Sequence, residues 1–269
     1  MHLKRWLTGI IALPILICII GPICPRWLFY VVLFAAAIVS LMEYYNITSP
    51  DLPKAVRFSS YILSLGLFLA VHQRQVLLEQ VVVLLFVFVP MIYFMFTRPT
   101  TSEQSTADLG KAAIGPIYTA IPLSMILHID RYYPDTGYGW IFFLLVVIFA
   151  NDTGALYCGK FFGKHKLYLA ISPNKTWEGA IGGAACSLIA ATWFLRITGF
   201  QIINWKIIAL VVVLSITGQI GDLVESMLKR NHGIKDSGSL LPGHGGMLDR
   251  IDGLLFAIPV LFAYIQFSV

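Results

Sequence analysis

Long apolar runs follow one another along the whole chain, with short polar stretches between them. Nine such runs stand out, at 1–24, 27–45, 58–71, 77–96, 112–129, 139–157, 177–197, 206–228 and 252–269. Most approach the roughly 20 residues that a helix needs to cross a hydrocarbon core. Lipid offers the backbone no hydrogen-bond partners, so helices, which satisfy themselves, are the expected form. The pattern predicts an all-α polytopic membrane protein with about nine transmembrane helices. Pro116 and Pro122 interrupt the fifth run, which is tolerable where neighbours satisfy the freed carbonyls. The first run opens on Lys4 and Arg5 like a signal peptide, but it has no small-x-small cleavage site and the next run follows at once. It is expected to be a retained span.

Lys and Arg positions orient these spans. With a cytoplasmic N-terminus, fourteen basic residues fall in inside segments and five outside. Two regions are expected: 1–135, with about five helices, and 136–269, with about four helices plus the cytoplasmic loops. Composition agrees, at 58% hydrophobic and only 12% charged, with a mean hydropathy of +0.78, beyond the ordinary globular range. The net charge of +5 lies scattered through short loops, which argues against a nucleic-acid partner. Cys18, Cys24, Cys158 and Cys186 lack metal-like spacing and read as packing residues.

Against this apolar background, 222–252 holds five acids and four bases. Asp222 and Glu225 continue an apolar run, where an acid costs at least ~2.5 kcal/mol and is functional by default. Asp222, Glu225 and Lys229 fall at i, i+3 and i+7, on one helix face. A glycine-rich loop with bases follows, and Asp249-Arg250-Ile251-Asp252 opens the last run. Carboxylates from two helices flanking such a loop suit a metal-bound polyphosphate. Asp152, Glu178, Asp222, Glu225 and Asp252 all fall near the inferred cytoplasmic ends of their spans. The loop 159–176 carries Lys160, Lys164, Lys166 and Lys175, with Ser172 and Thr176 as candidate caps before the helix expected from Trp177. Its GxxxGK spacing, with His165 in place of Ser or Thr, is not a Walker loop. Gly179, Gly182 and Gly183 permit close helix approach, between chains or within one. His165, His232 and His244 lack paired spacing, so the acids point to a hard ion; His244 reads as a loop or substrate contact. Gly243, Gly245 and Gly246 can bring backbone amides to phosphate, make a tight re-entry turn, or do both.

The run Ser226-Met227-Leu228-Lys229-Arg230, then Lys235-Asp236-Ser237, then Pro242-Gly243-His244-Gly245-Gly246, then Asp249-Arg250-Ile251-Asp252 resembles the phosphatidate cytidylyltransferases, or CDP-diacylglycerol synthases. Asp152-Thr153-Gly154-Ala155, Gly159-Lys160, Gly163-Lys164 and Ser172-Pro173-Asn174-Lys175-Thr176-Trp177-Glu178-Gly179 extend the likeness upstream. The resemblance implies transfer of a cytidylyl group from CTP to phosphatidic acid, with CDP-diacylglycerol and pyrophosphate as products. It also implies a homodimer, and the chain is expected in a bacterial inner membrane with its site facing the cytoplasm. On this reading Asp222 and Asp249 hold Mg²⁺, with Glu225 and Asp252 in its outer shell or on a second cation. Lys175 and Lys235 join Asp222 and Asp249 as catalytic candidates. Asp152, Ser172, Lys175, Thr176, Lys229, Arg230, Lys235, Asp236, Ser237, His244, Gly245, Gly246 and Arg250 are the substrate-binding candidates. Two alternatives are a lipid-alcohol kinase using CTP, which needs a base, and a transporter, which needs a polar path to the opposite face.

Overall fold

The computed structural model describes residues 14–97, 103–238 and 245–268. Nine helices have both ends within these residues: α1 Arg26–Thr48, α2 Lys54–His72, α3 Val76–Thr97, α4 Glu103–Tyr118, α5 Ala120–Tyr132, α6 Gly137–Phe162, α7 Trp177–Thr198, α8 Trp205–Asn231 and α9 Leu248–Ser268. Between α6 and α7 lies an antiparallel hairpin, β1 Lys166–Tyr168 with β2 Ser172–Thr176. Residues 14–20 are also helical and 21–24 form a turn, while residues 1–13 of the first apolar run lie outside the described residues. Among the described residues, seven stretches are long and apolar enough to cross a membrane, α4 and α5 forming one of them as Thr106–Tyr132. The protein is thus an all-α polytopic membrane protein, and the expected loop 159–176 contains the hairpin.

The two prolines of the fifth run explain its form. The helix breaks at Thr119, midway between Pro116 and Pro122. Pro116 has no N–H for the carbonyl four residues back, at Ala112. The Tyr45 hydroxyl fills that vacancy, donating to Ala112 O at 2.8 Å.

The chain divides into two compact units. One comprises Met1–Tyr132 with Asp236–Asp249, so this late segment, expected with the C-terminal region, packs with the N-terminal helices. Its core includes Leu41, Tyr45, Phe86, Leu127 and Ile129, all fully buried. Buried Asp130 is paired with Arg26 at 2.9 Å and accepts from the Tyr30 hydroxyl at 3.0 Å.

The other unit comprises Tyr133–Lys235 with Arg250–Val269. Here α6 and α7 lie so close that side chains are excluded. A Cβ on Gly183 would stand 2.7 Å from the Asn151 carbonyl oxygen, and one on Gly179 2.8 Å from that of Ala155. The glycines of α7 therefore serve packing within the chain. Cys158 and Cys186 are free thiols that face Gly182 and Gly154 across this seam. The Ser187 hydroxyl donates to Val147 O at 2.8 Å, adding a polar tie. Gln219 of α8 joins both helices, its Nε2 donating to Asn151 Oδ1 at 2.8 Å and Ala180 O at 3.1 Å. At Gly221 a Cβ would stand 2.5 Å from the Asp252 carbonyl oxygen, which brings α8 and α9 together at their acidic positions.

Candidate active site

A cavity of about 630 Å³ opens in the second unit. Asn151 and Asp152 of α6, Gln219 and Asp222 of α8, and Ser172 and Lys175 of β2 contribute to its walls. Lys175 Nζ meets Asp222 Oδ2 at 2.5 Å. Each side chain remains partly open, with 25% and 39% of its surface exposed. One helical turn on, Glu225 is buried and forms an ion pair with Lys229. The shared face expected for Asp222, Glu225 and Lys229 is thus present, but two different lysines answer the two acids.

Asp152, Asp222 and Asp252 come from three helices and lie near enough to repel one another. Such a group of like charges beside a cavity calls for cations. Among the described residues no three His, Cys, Asp or Glu side chains converge as a ready-made metal site. The two acids on the cavity wall, Asp152 and Asp222, fit the needs of Mg²⁺, which retains water and takes one or two carboxylates plus substrate phosphate oxygens. They do not suit an all-protein cage of the kind that holds zinc.

The hairpin is fixed to the start of α7. Thr176 is buried, and its hydroxyl caps α7 by accepting from Gly179 N at 3.1 Å. Glu178 accepts from the backbone N–H groups of Lys164 and His165 at 3.1 and 3.2 Å and meets His165 Nδ1 at 2.6 Å. Trp177 N donates to His165 O at 2.9 Å. His165 is therefore part of this clamp. His232 lies just past α8, its Nδ1 2.9 Å from Leu228 O. Arg230, Lys235 and Arg250 are exposed.

The remaining expected site residues belong to the first unit. Asp249 Oδ2 accepts from the backbone N–H groups of Ser237 and Gly246, both at 2.9 Å. The glycines make a tight turn here: Gly245 has φ +79°, and a Cβ on it would stand 2.6 Å from Asp249 Oδ2. Ser237 is buried, and its hydroxyl donates to Glu43 Oε2 at 2.9 Å. Asp236 is exposed, while His244 and Gly243 lie outside the described residues.

Glu43 is the residue that sequence reasoning passed over. It is a buried carboxylate near the end of α1. Oε1 accepts from Met247 N at 3.0 Å and Oε2 from Leu248 N at 2.8 Å. These amides lead into α9, so Glu43 caps that helix from another element, where its orphan donors and positive end favour an anion. Gly238 and Gly246 leave it room, since a Cβ on either would run into the Glu43 carboxylate. The signal available in the sequence was an acid near the end of the apolar run 27–45.

Helices long and apolar enough to cross a membrane thus bring carboxylates and a lysine together on one cavity. Residues 3–268 match the model of the cytidylyltransferase family, and the chain belongs to that family. It is 35% identical over 261 residues to a phosphatidate cytidylyltransferase of Staphylococcus aureus (strain COL), covering 96% of each chain. A Staphylococcus saprophyticus protein of the same name is 49% identical over 125 residues, 46% of this chain and about half of the relative, 48%. A third, from Bacillus subtilis (strain 168), is 39% identical over 175 residues, 65% of each.

Proposed function

We propose that this protein transfers the cytidylyl group of CTP to phosphatidic acid, giving CDP-diacylglycerol and pyrophosphate. The observation that carries this reading is the Lys175–Asp222 pair on a cavity walled by membrane-spanning helices, in a chain of the cytidylyltransferase family. A phosphate monoester has a second pKa near 6, so the lipid phosphate is already nucleophilic and needs no dedicated base. One of its oxygens bonds to the α-phosphorus of CTP while the bond from that phosphorus to the β-phosphate bridge breaks, and the electron pair leaves with pyrophosphate. Repulsion between anions and charge on the leaving group limit such a step, so positioning and electrostatic stabilisation do most of the catalysis.

Lys175 is placed to turn from Asp222 onto a phosphate oxygen. Arg230, Lys235 and Arg250 are accessible cations for the same purpose, and Lys229 acts beside Glu225. Asp222 and Asp249 are the proposed Mg²⁺ ligands, with Glu225 and Asp252 for the outer shell or a second cation. Bound Mg²⁺ supplies stabilisation of the developing pyrophosphate charge. Asp152, Ser172 and Thr176 line the substrate cavity, Thr176 chiefly as the cap of α7. Asp236, Ser237, Gly245, Gly246 and His244 belong to the segment that carries Asp249. The protein is further proposed to work as a homodimer in a bacterial inner membrane, with nine spans, a cytoplasmic N-terminus and the site facing the cytoplasm.

The deciding experiment supplies purified protein with CTP and Mg²⁺, with and without phosphatidic acid. Pyrophosphate should appear only when the lipid is present. With diacylglycerol supplied in place of phosphatidic acid, formation of CDP and a phosphorylated lipid would overturn the reading in favour of a kinase.

A further inference from the structure

The hairpin beside the cavity has an apolar tip. Between and at the ends of its strands the chain reads Tyr168-Leu169-Ala170-Ile171, without the Gly, Asn, Asp or Pro that turns favour. Tyr168 and Leu169 are 52% and 65% exposed. The last turns of α6 add to this surface: Tyr157 stacks on Phe161 with centroids 6.4 Å apart, and Phe161 and Phe162 are both exposed. Lys160, Lys164 and Lys166 are exposed among these apolar groups. In water such a tip would be an aggregation liability, and a two-stranded hairpin gains little stability from its own pairing. Yet the hairpin is strung between Phe162 and Trp177, the facing ends of two membrane-length helices, and the Glu178 clamp holds its base. A segment tied to two span ends stays at the membrane surface. Aromatic and aliphatic groups interleaved with lysines are the composition that seats a segment at the boundary between headgroups and acyl chains of an anionic bilayer. The same strands supply Leu167, Ser172, Asn174 and Lys175 to the cavity wall.

We propose that the hairpin tip is an interfacial anchor, seated in an anionic lipid surface through Tyr168, Leu169 and the adjoining lysines. It forms the lip over which a bilayer-borne phosphate lipid enters the cavity. The entry role rests on the proposed reaction, whereas the anchoring does not, so two measurements separate them. In the first, L169C is labelled with an NBD fluorophore and reconstituted in vesicles of equal phosphatidylglycerol and phosphatidylcholine. Signal from the parent protein, labelled in parallel, is subtracted. Emission should shift to the blue and be quenched by lipids spin-labelled near the headgroup; a water-like, unquenched probe would overturn the anchor. In the second, L169S and L169D are assayed in mixed micelles at varied mole fraction of phosphatidic acid. The interfacial KM for the lipid should rise about tenfold with the KM for CTP and the melting temperature unchanged. An unchanged lipid KM, or equal shifts in both constants, would overturn the entry role. Wild-type protein that makes no CDP-diacylglycerol while the probe still reports insertion would instead overturn the proposed reaction and leave the anchor standing.

Discussion

Asp222 and Glu43 are both acids in apolar surroundings, but their neighbours give them different roles. Asp222 faces a cavity and shares Lys175 with it through a partly open ion pair. Asp222→Asn preserves shape and keeps an oxygen that can accept from the buried Lys175 ammonium, so the fold should survive. Turnover should fall at least ~100-fold if the charge holds Mg²⁺ against the triphosphate. Magnesium titration on the same samples checks this: a folded variant with a wild-type magnesium response sinks the assignment. Glu43 accepts three hydrogen bonds while buried, and none of its partners is a cation in the described network. Glutamine offers one acceptor oxygen and presents its NH₂ to other donors. Hydrogen bonds to charged groups contribute about 1.5–3 kcal/mol each, so Glu43→Gln should lower the melting temperature and speed proteolysis within 236–249. An unchanged cleavage rate would show that this carboxylate does not order the segment.

At the scale of elements, the glycines of α7 decide where the cavity walls stand. Gly183 meets a backbone oxygen of α6, an atom that cannot rotate away. Gly183→Ala should force the two helices apart, with a cost of about 1–3 kcal/mol as for other overpacked sites. The displacement also moves Asp152 and the Thr176 cap, so activity should fall along with thermal stability. Retained activity and stability would mean that the seam is looser than the contacts indicate. The hairpin has a different origin. Its strands carry little hydrophobic alternation and its turn lacks turn residues, so nothing local announced it. Its register depends on the clamp from Glu178 and the bond from Trp177, both on the following helix.

For the whole molecule, the proposed nine-span topology places 130–138 and 231–246 on opposite sides of the membrane. Single cysteines in these two segments, labelled from one side of intact cells, should react differently; equal labelling would remove a span from the scheme. The helices themselves were legible because hydrophobic length is a local property, and lipid enforces it on each run separately. The shared face of Asp222, Glu225 and Lys229 was legible too, since helical periodicity alone places them there. Partnership was another matter. Lys175 meets Asp222 because β2, α7 and α8 converge on one cavity. Glu43 meets Ser237 from 194 residues away. Composition and spacing therefore determined a helical membrane protein with acids at depth. Only tertiary packing, set by glycine contacts and by hydrogen bonds to buried carboxylates, decided which acid faces the cavity and which holds the chain together.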